Sequence, residues 1–542
     1  MPGHLSSRLR TLLSLAVLLV VVSCSSTNNS PSQSAQPVNG GTATVNLYQK
    51  WVALNPFNTG PDNVVTQLAY EPLTLIAGDT LAVISRIATF TASPDATTFT
   101  FKLKPGLKWS DGEPFTSQDI LFSYNAYSNP KISIYAPAFK NVVGISDFIA
   151  GTASSPSGFT TPDDSTFVIK LSSQYAPFLV NLSSPTLYLL PKHILASTPT
   201  ATLSANSNPF WSHPVGLGPY KIVQVVPDQY IEFDKNPNYV NPVHLDKVFV
   251  KAVTAAVAVA SVQSGEMDLS PVAAADITNL KTVSTVTTYD LPGTSGIHIV
   301  VNLDKPYFHD KRVRQAMLTA IDRKGLVQSV LAGQAVLANT FPFGPSWAIG
   351  SDLATYDYNP TKAKQLLTDA GWDFNRTVNL DLVPGITDRT NALNVVVGNW
   401  QAIGMKINVR LIQAGQLLGA RKDNSFDLSM SGTAIGTIDP DLGFVSLQCN
   451  TYYKDGRGTN FANYCNATVD SLFVKARETS DQSKRAPQYI QATKIVNDEL
   501  PYLVLYVPKT LYATTNRLKG FKPNPEIAHT FWNAGDWYVT TK

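Results

Sequence analysis

Three features of the sequence predict an α/β protein of more than one domain. Its 542 residues exceed what one hydrophobic core serves, so two or three domains are expected. Segments that read as strands, such as 43–48 and 297–302, are interleaved with segments of helical period. The clearest helix starts at the cap Asp310 and repeats apolar side chains at Val313, Ala316, Met317, Ala320 and Ile321, with Arg312, Arg314, Gln315 and Thr319 elsewhere. Asp322 caps a second short helix through Val327, Val330 and Leu331, which Gly333 ends.

Composition points to an exported chain. A hydrophobic fraction of 44%, a mean hydropathy of -0.02 and only 15% charged residues describe a globular protein with a polar, weakly charged surface. Arg8 and Arg10 precede an apolar run at 12–22 that is too short to cross a membrane with ease, which reads as a secretory signal over 1–23. The following Val21-Val22-Ser23-Cys24 resembles a bacterial lipobox, in which the cysteine, here Cys24, is lipidated and becomes the mature N-terminus. An ordinary signal peptide is the alternative. Residues 24–42, mostly Ser, Thr, Asn, Gln, Pro and Gly, read as a flexible tether. Removing Arg8 and Arg10 from the 42 basic residues leaves 40 against 39 acidic ones, a balance with no electrostatic footprint for nucleic acid. Cys449 and Cys465 remain, and an oxidising compartment favours a disulfide worth roughly 3 kcal/mol. A metal site is the alternative, but no His lies nearby.

Further elements follow in chain order. Within the stretch 66–75 a helix stops ahead of Pro72, which restricts Glu71 away from helical geometry. Strands at 98–103 and 107–109 are expected to pair across a Lys104-Pro105-Gly106 turn, ahead of a hairpin at Asp111-Gly112. Thr116 and Asp119 have the spacing of a capping box. His193 beside a turn reads as a structural residue. The Gly216-Leu217-Gly218-Pro219 run lacks the third glycine and following helix of a phosphate loop. Residues 252–262 read as a core helix, 394–401 as a helix before a strand, and 502–507 as a buried strand that returns the chain to its first part.

Several of these stretches carry motifs. Asn302, Phe308, Asp310, Arg312, Val313, Arg314, Gln315, Ala316 and Ala320-Ile321-Asp322-Arg323 resemble a segment of the dipeptide/oligopeptide/nickel class of bacterial extracellular solute-binding proteins, family 5, the receptors of ABC importers. Tyr307 stands where that family usually has proline. The run Trp109-Ser110-Asp111-Gly112-Glu113-Pro114-Phe115-Thr116 is similar to another family signature, as are Tyr70-Glu71-Pro72-Leu73, Pro191-Lys192-His193, Gly218-Pro219-Tyr220 and Ala370-Gly371. The resemblance implies a periplasmic-binding-protein-like fold of type II: two hinged α/β lobes with an extra subdomain in the first. The first lobe is expected at 43–295 with the subdomain at about 66–200, the second at 296–505, and the return at 506–542. It also implies a monomeric receptor without cofactor or metal, lipid-anchored on the outer face of the bacterial cytoplasmic membrane, which delivers a small solute to a permease and its ATPase.

Peptides are the first expected cargo, with an oligosaccharide, an opine or a metal chelate second. A secreted hydrolase, or a peptide-binding chaperone or sensor, is the alternative of another class. Catalysis has no local signature: there is no Gly-x-Ser-x-Gly elbow, zinc helix or P-loop. In peptide-binding members, a tryptophan and an ammonium-binding aspartate precede a Glu/Asp-Pro pair. Matching Phe426-Asp427 and Asp439-Pro440 to that pattern puts Thr433 at the tryptophan position and Gly436 at the aspartate position. An ammonium buried without a carboxylate would lose several kcal/mol, on the order of a broken buried ion pair. Peptides are therefore not expected to bind in the usual way unless Asp439 or Asp441 substitutes. Arg421 matches a ligand-side arginine of some peptide binders and reads equally as an anion partner or a solvated helix end. Tyr48, Trp51, Tyr70, Glu71, His298, Asn302 and Trp347 complete the candidate contacts, each with core packing as its alternative.

Overall fold

Two mixed sheets organise the chain in a computed structural model that describes residues 37–46, 54–57, 65–183, 186–342, 345–385, 387–434, 439–526 and 529–540. The expected signal, Cys24 and most of the tether lie outside the described residues, as do Tyr48, Trp51 and Gly436. From Val38 onward the chain forms one unit. One sheet has seven strands in the order Val286–Leu291, Thr510–Thr515, Leu269–Pro271, Thr42–Asn46, Lys247–Lys251, Tyr230–Lys235 and Tyr220–Val226. Thr42–Asn46 runs parallel to both its neighbours, and the other pairs are antiparallel.

The second sheet has six strands: Ala335–Val336, Tyr502–Pro508, Ser295–Val301, Leu428–Ala434, Thr377–Leu382 and Lys406–Leu411. Its last three are parallel. Both faces are covered, which explains why Ser295–Val301 is buried almost throughout. Ile297, Ile299 and Val301 pack with helices Lys311–Thr319, Arg323–Leu331 and Thr387–Ala402, while Val300 faces a separate core with Phe473 and Tyr489. A third sheet of four strands, Ala88–Ala92, Thr98–Leu103, Thr166–Lys170 and Phe159–Asp163, packs against helix Ser117–Ser128 within the core of the seven-stranded sheet.

Local chemistry accounts for the helix ends. Thr116 and Asp119 form the expected capping box. The Asp310 side chain accepts from the Arg312 amide, and that of Asp322 from Gly325. All five apolar positions of the first helix are buried. Arg314 lies off the apolar positions of the pattern and is buried all the same, donating to the carbonyls of Phe308, His309 and Glu499. Gly216 and Gly218 serve close packing, since a Cβ at either would sit 2.0 or 2.4 Å from backbone atoms of Ala69.

Two pairings differ from expectation. Thr98–Leu103 pairs with Ala88–Ala92 and Thr166–Lys170, not with 107–109, which joins only the small Asp111-Gly112 hairpin through a Lys108–Pro114 bridge. The strand Tyr502–Pro508 belongs to the six-stranded sheet, beside Ser295–Val301, and it is Thr510–Thr515 that enters the seven-stranded one. The chain thus crosses between sheets twice, at 292–294 and at 509, and the crossings touch. A Cβ on Gly293 would lie 1.7 Å from the Pro508 carbonyl oxygen. Cys449 and Cys465 are joined, with Cα atoms 4.4 Å apart.

Candidate functional site

In the six-stranded sheet, the parallel strands Thr377–Leu382 and Leu428–Ala434 end on the same side, the edge where open α/β sheets place ligands. Antiparallel pairing brings His298 opposite Ser431 and Ile297 opposite Gly432 near that edge. Arg421 reaches it from the last turn of helix Ala414–Lys422. Its Nη2 donates to the Ser429 hydroxyl at 3.0 Å and to that of Ser431, while Phe461 stacks 4.1 Å from the guanidinium carbon. Burial pulls the Arg421 pKa down to about 10, and no carboxylate among the described residues pairs with it.

Arg389 approaches the same strand from the first turn of helix Thr387–Ala402. It is half-buried and lies against Gly432, where a Cβ would sit 2.6 Å from its Nη2. His298 is buried, packed edge-on against Phe341 and Tyr502 at 5.2 and 5.4 Å. Burial, with Arg421 and Arg389 nearby, pushes its pKa down to about 3 and keeps the ring neutral at physiological pH.

Other candidate residues have internal partners. Asp439 is bound by Arg485 at 2.6 and 2.8 Å, and Trp347 lies 5.6 Å from that guanidinium. Asp441 accepts from Arg477 Nε at 2.6 Å and from Tyr175 Oη at 3.2 Å, the latter a residue between the third sheet and helix Phe178–Leu182. Neither carboxylate is open to a ligand ammonium, because each sits beneath a guanidinium in a buried pair. Tyr70 donates to the Leu54 carbonyl at 2.9 Å and stacks on Tyr188. Glu71, fully buried, is gripped by Arg86 at 2.8 and 3.0 Å. Asn302 donates to Asn424 and the Phe426 carbonyl, at the opposite edge of the sheet, where Leu428–Ala434 begins. Thr433 is placed by its backbone in Leu428–Ala434.

The structure therefore gathers His298, Arg421 and the Thr433 backbone, and adds Arg389, which sequence reasoning missed. The signal for it was the placement of a cation in the first turn of a helix, where the helix dipole is unfavourable to positive charge, directly after the Pro384-Gly385 loop. Among the described residues no cluster of three or more His, Cys, Asp or Glu side chains could hold a metal.

Comparison with known proteins agrees with this architecture. The family described as Bacterial extracellular solute-binding proteins, family 5 Middle, matches residues 64–455. The oligopeptide-binding protein AppA of Bacillus subtilis (strain 168) is 28% identical over 566 residues, covering 98% of both chains. The dipeptide-binding protein of Escherichia coli (strain K12) is 26% identical over 465 residues, 81% of this chain and 84% of its own. The solved structure of Bacillus subtilis AppA in complex with a nonapeptide aligns with a TM-score of 0.77 at 25% identity, over 93% of this chain and 100% of that one. NikZ from Campylobacter jejuni, in complex with Ni(L-His), shares the fold with a TM-score of 0.76 at 23% identity, over 92% and 99% of the two chains. The fold is that of the type II periplasmic binding proteins.

Proposed function

The chain belongs to the bacterial extracellular solute-binding proteins of family 5, and from that premise we propose that it captures peptides and delivers them to the permease of an ABC importer. The near full-length likeness to an oligopeptide-binding protein, 98% of both chains, carries this reading. Geometry supports it: the chain passes between the two sheets at adjoining crossings, at Gly293 and Pro508, an arrangement that suits closure around a solute. Closure removes the solute from water and offers a different surface to the membrane partner, so binding and delivery are coupled by differential affinity for open and closed forms. We place the first lobe at 43–295, the second from 296 to the crossing at 509 with the return to the first lobe after it, and a lipid anchor at Cys24 that holds the receptor at the outer face of the cytoplasmic membrane. Permease and ATPase are its partners, and the solute leaves chemically unchanged.

Native mass spectrometry of the protein purified from membranes without denaturation tests both parts. The expected spectrum shows bound species of peptide mass that denaturation releases intact, on a chain whose N-terminal Cys24 carries acyl groups. Released glycans or metal chelates would replace the cargo assignment, and an unacylated chain that begins elsewhere would remove the anchor.

A further inference from the structure

The two halves of the chain keep separate cores, and a polar contact bridges them away from the crossings. Tyr175 is buried with Phe178 and Leu182 in the core that the seven-stranded and four-stranded sheets share. Asp441, fully buried, opens the short helix Asp441–Phe444, whose Phe444 packs with Phe473 and Tyr489 in a core of the six-stranded part. Arg477 ends helix Ala467–Arg477 in that same part.

The Asp441 carboxylate divides its two oxygens between the halves. Oδ1 accepts from Arg477 Nε at 2.6 Å, and Gln448 Oε1 accepts from Arg477 Nη2 at 3.0 Å, so the guanidinium is held within its own half. Oδ2 accepts from the Tyr175 hydroxyl at 3.2 Å, across the boundary. Asn181 Nδ2 donates to that hydroxyl at 2.9 Å, which occupies one of its lone pairs and aims its proton at Asp441. Burial, with the Asp441 charge beside it, raises the Tyr175 pKa well above its ordinary value, so the phenol acts as a donor. Lys140 also faces the pair from the first half, drawn by Asp441 and repelled by Arg477, and these two effects oppose each other.

The Arg477 pair lies within one half and is kept whether the halves are together or apart. The Tyr175 bond is made only on approach, in exchange for water on Oδ2, so its net worth is that of a single hydrogen bond to a charged group. A bond of that size biases the two forms without locking the receptor shut.

We propose that Tyr175, aimed by Asn181, and Asp441, held by Arg477, form a latch that sets how much of the ligand-free protein is shut and how long a captured solute stays. The inference rests on the closure reading above and adds the residues that set its balance. Asp441 thereby meets the other half of the receptor and not the solute.

Distances between spin labels on the ligand-free protein test this, with labels at Ile149→Cys in the first half and Leu411→Cys in the second, both exposed positions. The wild type is expected to show a shorter and a longer distance, and Tyr175→Phe to lower the ratio of shorter to longer about tenfold. Asn181→Leu is expected to lower it less, and to have no effect in the Tyr175→Phe background, because it acts through the hydroxyl. A ratio unchanged by Tyr175→Phe, or an equal effect of Asn181→Leu with and without the hydroxyl, overturns the latch. Adding a tryptic digest of casein separates this inference from closure itself. Shortening by the digest with the same ratios in wild type and Tyr175→Phe keeps closure and rejects the latch; one fixed distance in every form, with digest or without, removes both.

Discussion

Asp439 and Asp441 lie just past the segment where the family resemblance leads one to expect ligand contacts, yet Arg485 and Arg477 hold them, from 46 and 36 residues further along the chain. Arg421 and Arg389 are the opposite case, cations near a strand end with no acid across from them. That contrast is three-dimensional and leaves no local trace, which is why the sequence pattern located Arg421 by register but not its lack of a partner, and passed over Arg389. His298 was among the candidate contacts offered by the sequence, but its state follows from burial and two neighbouring guanidinium groups. With a pKa pushed down to about 3 from 6.5, the unfolded chain takes up a proton between those values and the folded one does not. Stability from this residue is therefore complete above pH 6.5 and is lost progressively as pH falls toward 3. Urea unfolding of wild type and His298→Phe measures it. The stability of wild type relative to the variant is expected to fall by about 2 kcal/mol between pH 7 and pH 5. A constant difference across that range contradicts a neutral, desolvated ring.

Helices were the most legible elements, because period and caps are local: Asp310, Asp322, Thr116 and Asp119 all act as their spacing foretold. Strand partners were not. Thr98–Leu103 looked like half of a hairpin with the next apolar run, but its partners lie further away, at Ala88–Ala92 and Thr166–Lys170. Tyr502–Pro508 is apolar on both faces, so nothing in its pattern states which sheet it joins. Its placement beside Ser295–Val301 puts the two crossings in contact at Gly293 and Pro508, and that contact has no room for a side chain. Gly293→Ala is expected to cost about 1–3 kcal/mol, as overpacking of a close contact does. Chemical denaturation reads this directly, and a variant as stable as wild type would mean that the crossings separate freely.

Taken as one body, the protein joins two sheets by two short crossings and sets an unbalanced pair of arginines at the end of one of them. Tyr175 bonds to Asp441 across from the third sheet to the six-stranded part, so the halves already meet at a point other than the crossings. The fold class and the family were legible because motifs recur in order along most of the chain. The cargo was not, since solute contacts come from residues far apart in sequence. The central claim is that two halves close on an intact solute. Small-angle X-ray scattering of the protein stripped of ligand, then titrated with the released ligand, tests it most directly. The account predicts a smaller radius of gyration at saturation and a ligand recovered at its original mass; an unchanged radius, or a ligand returned cleaved or modified, would contradict it.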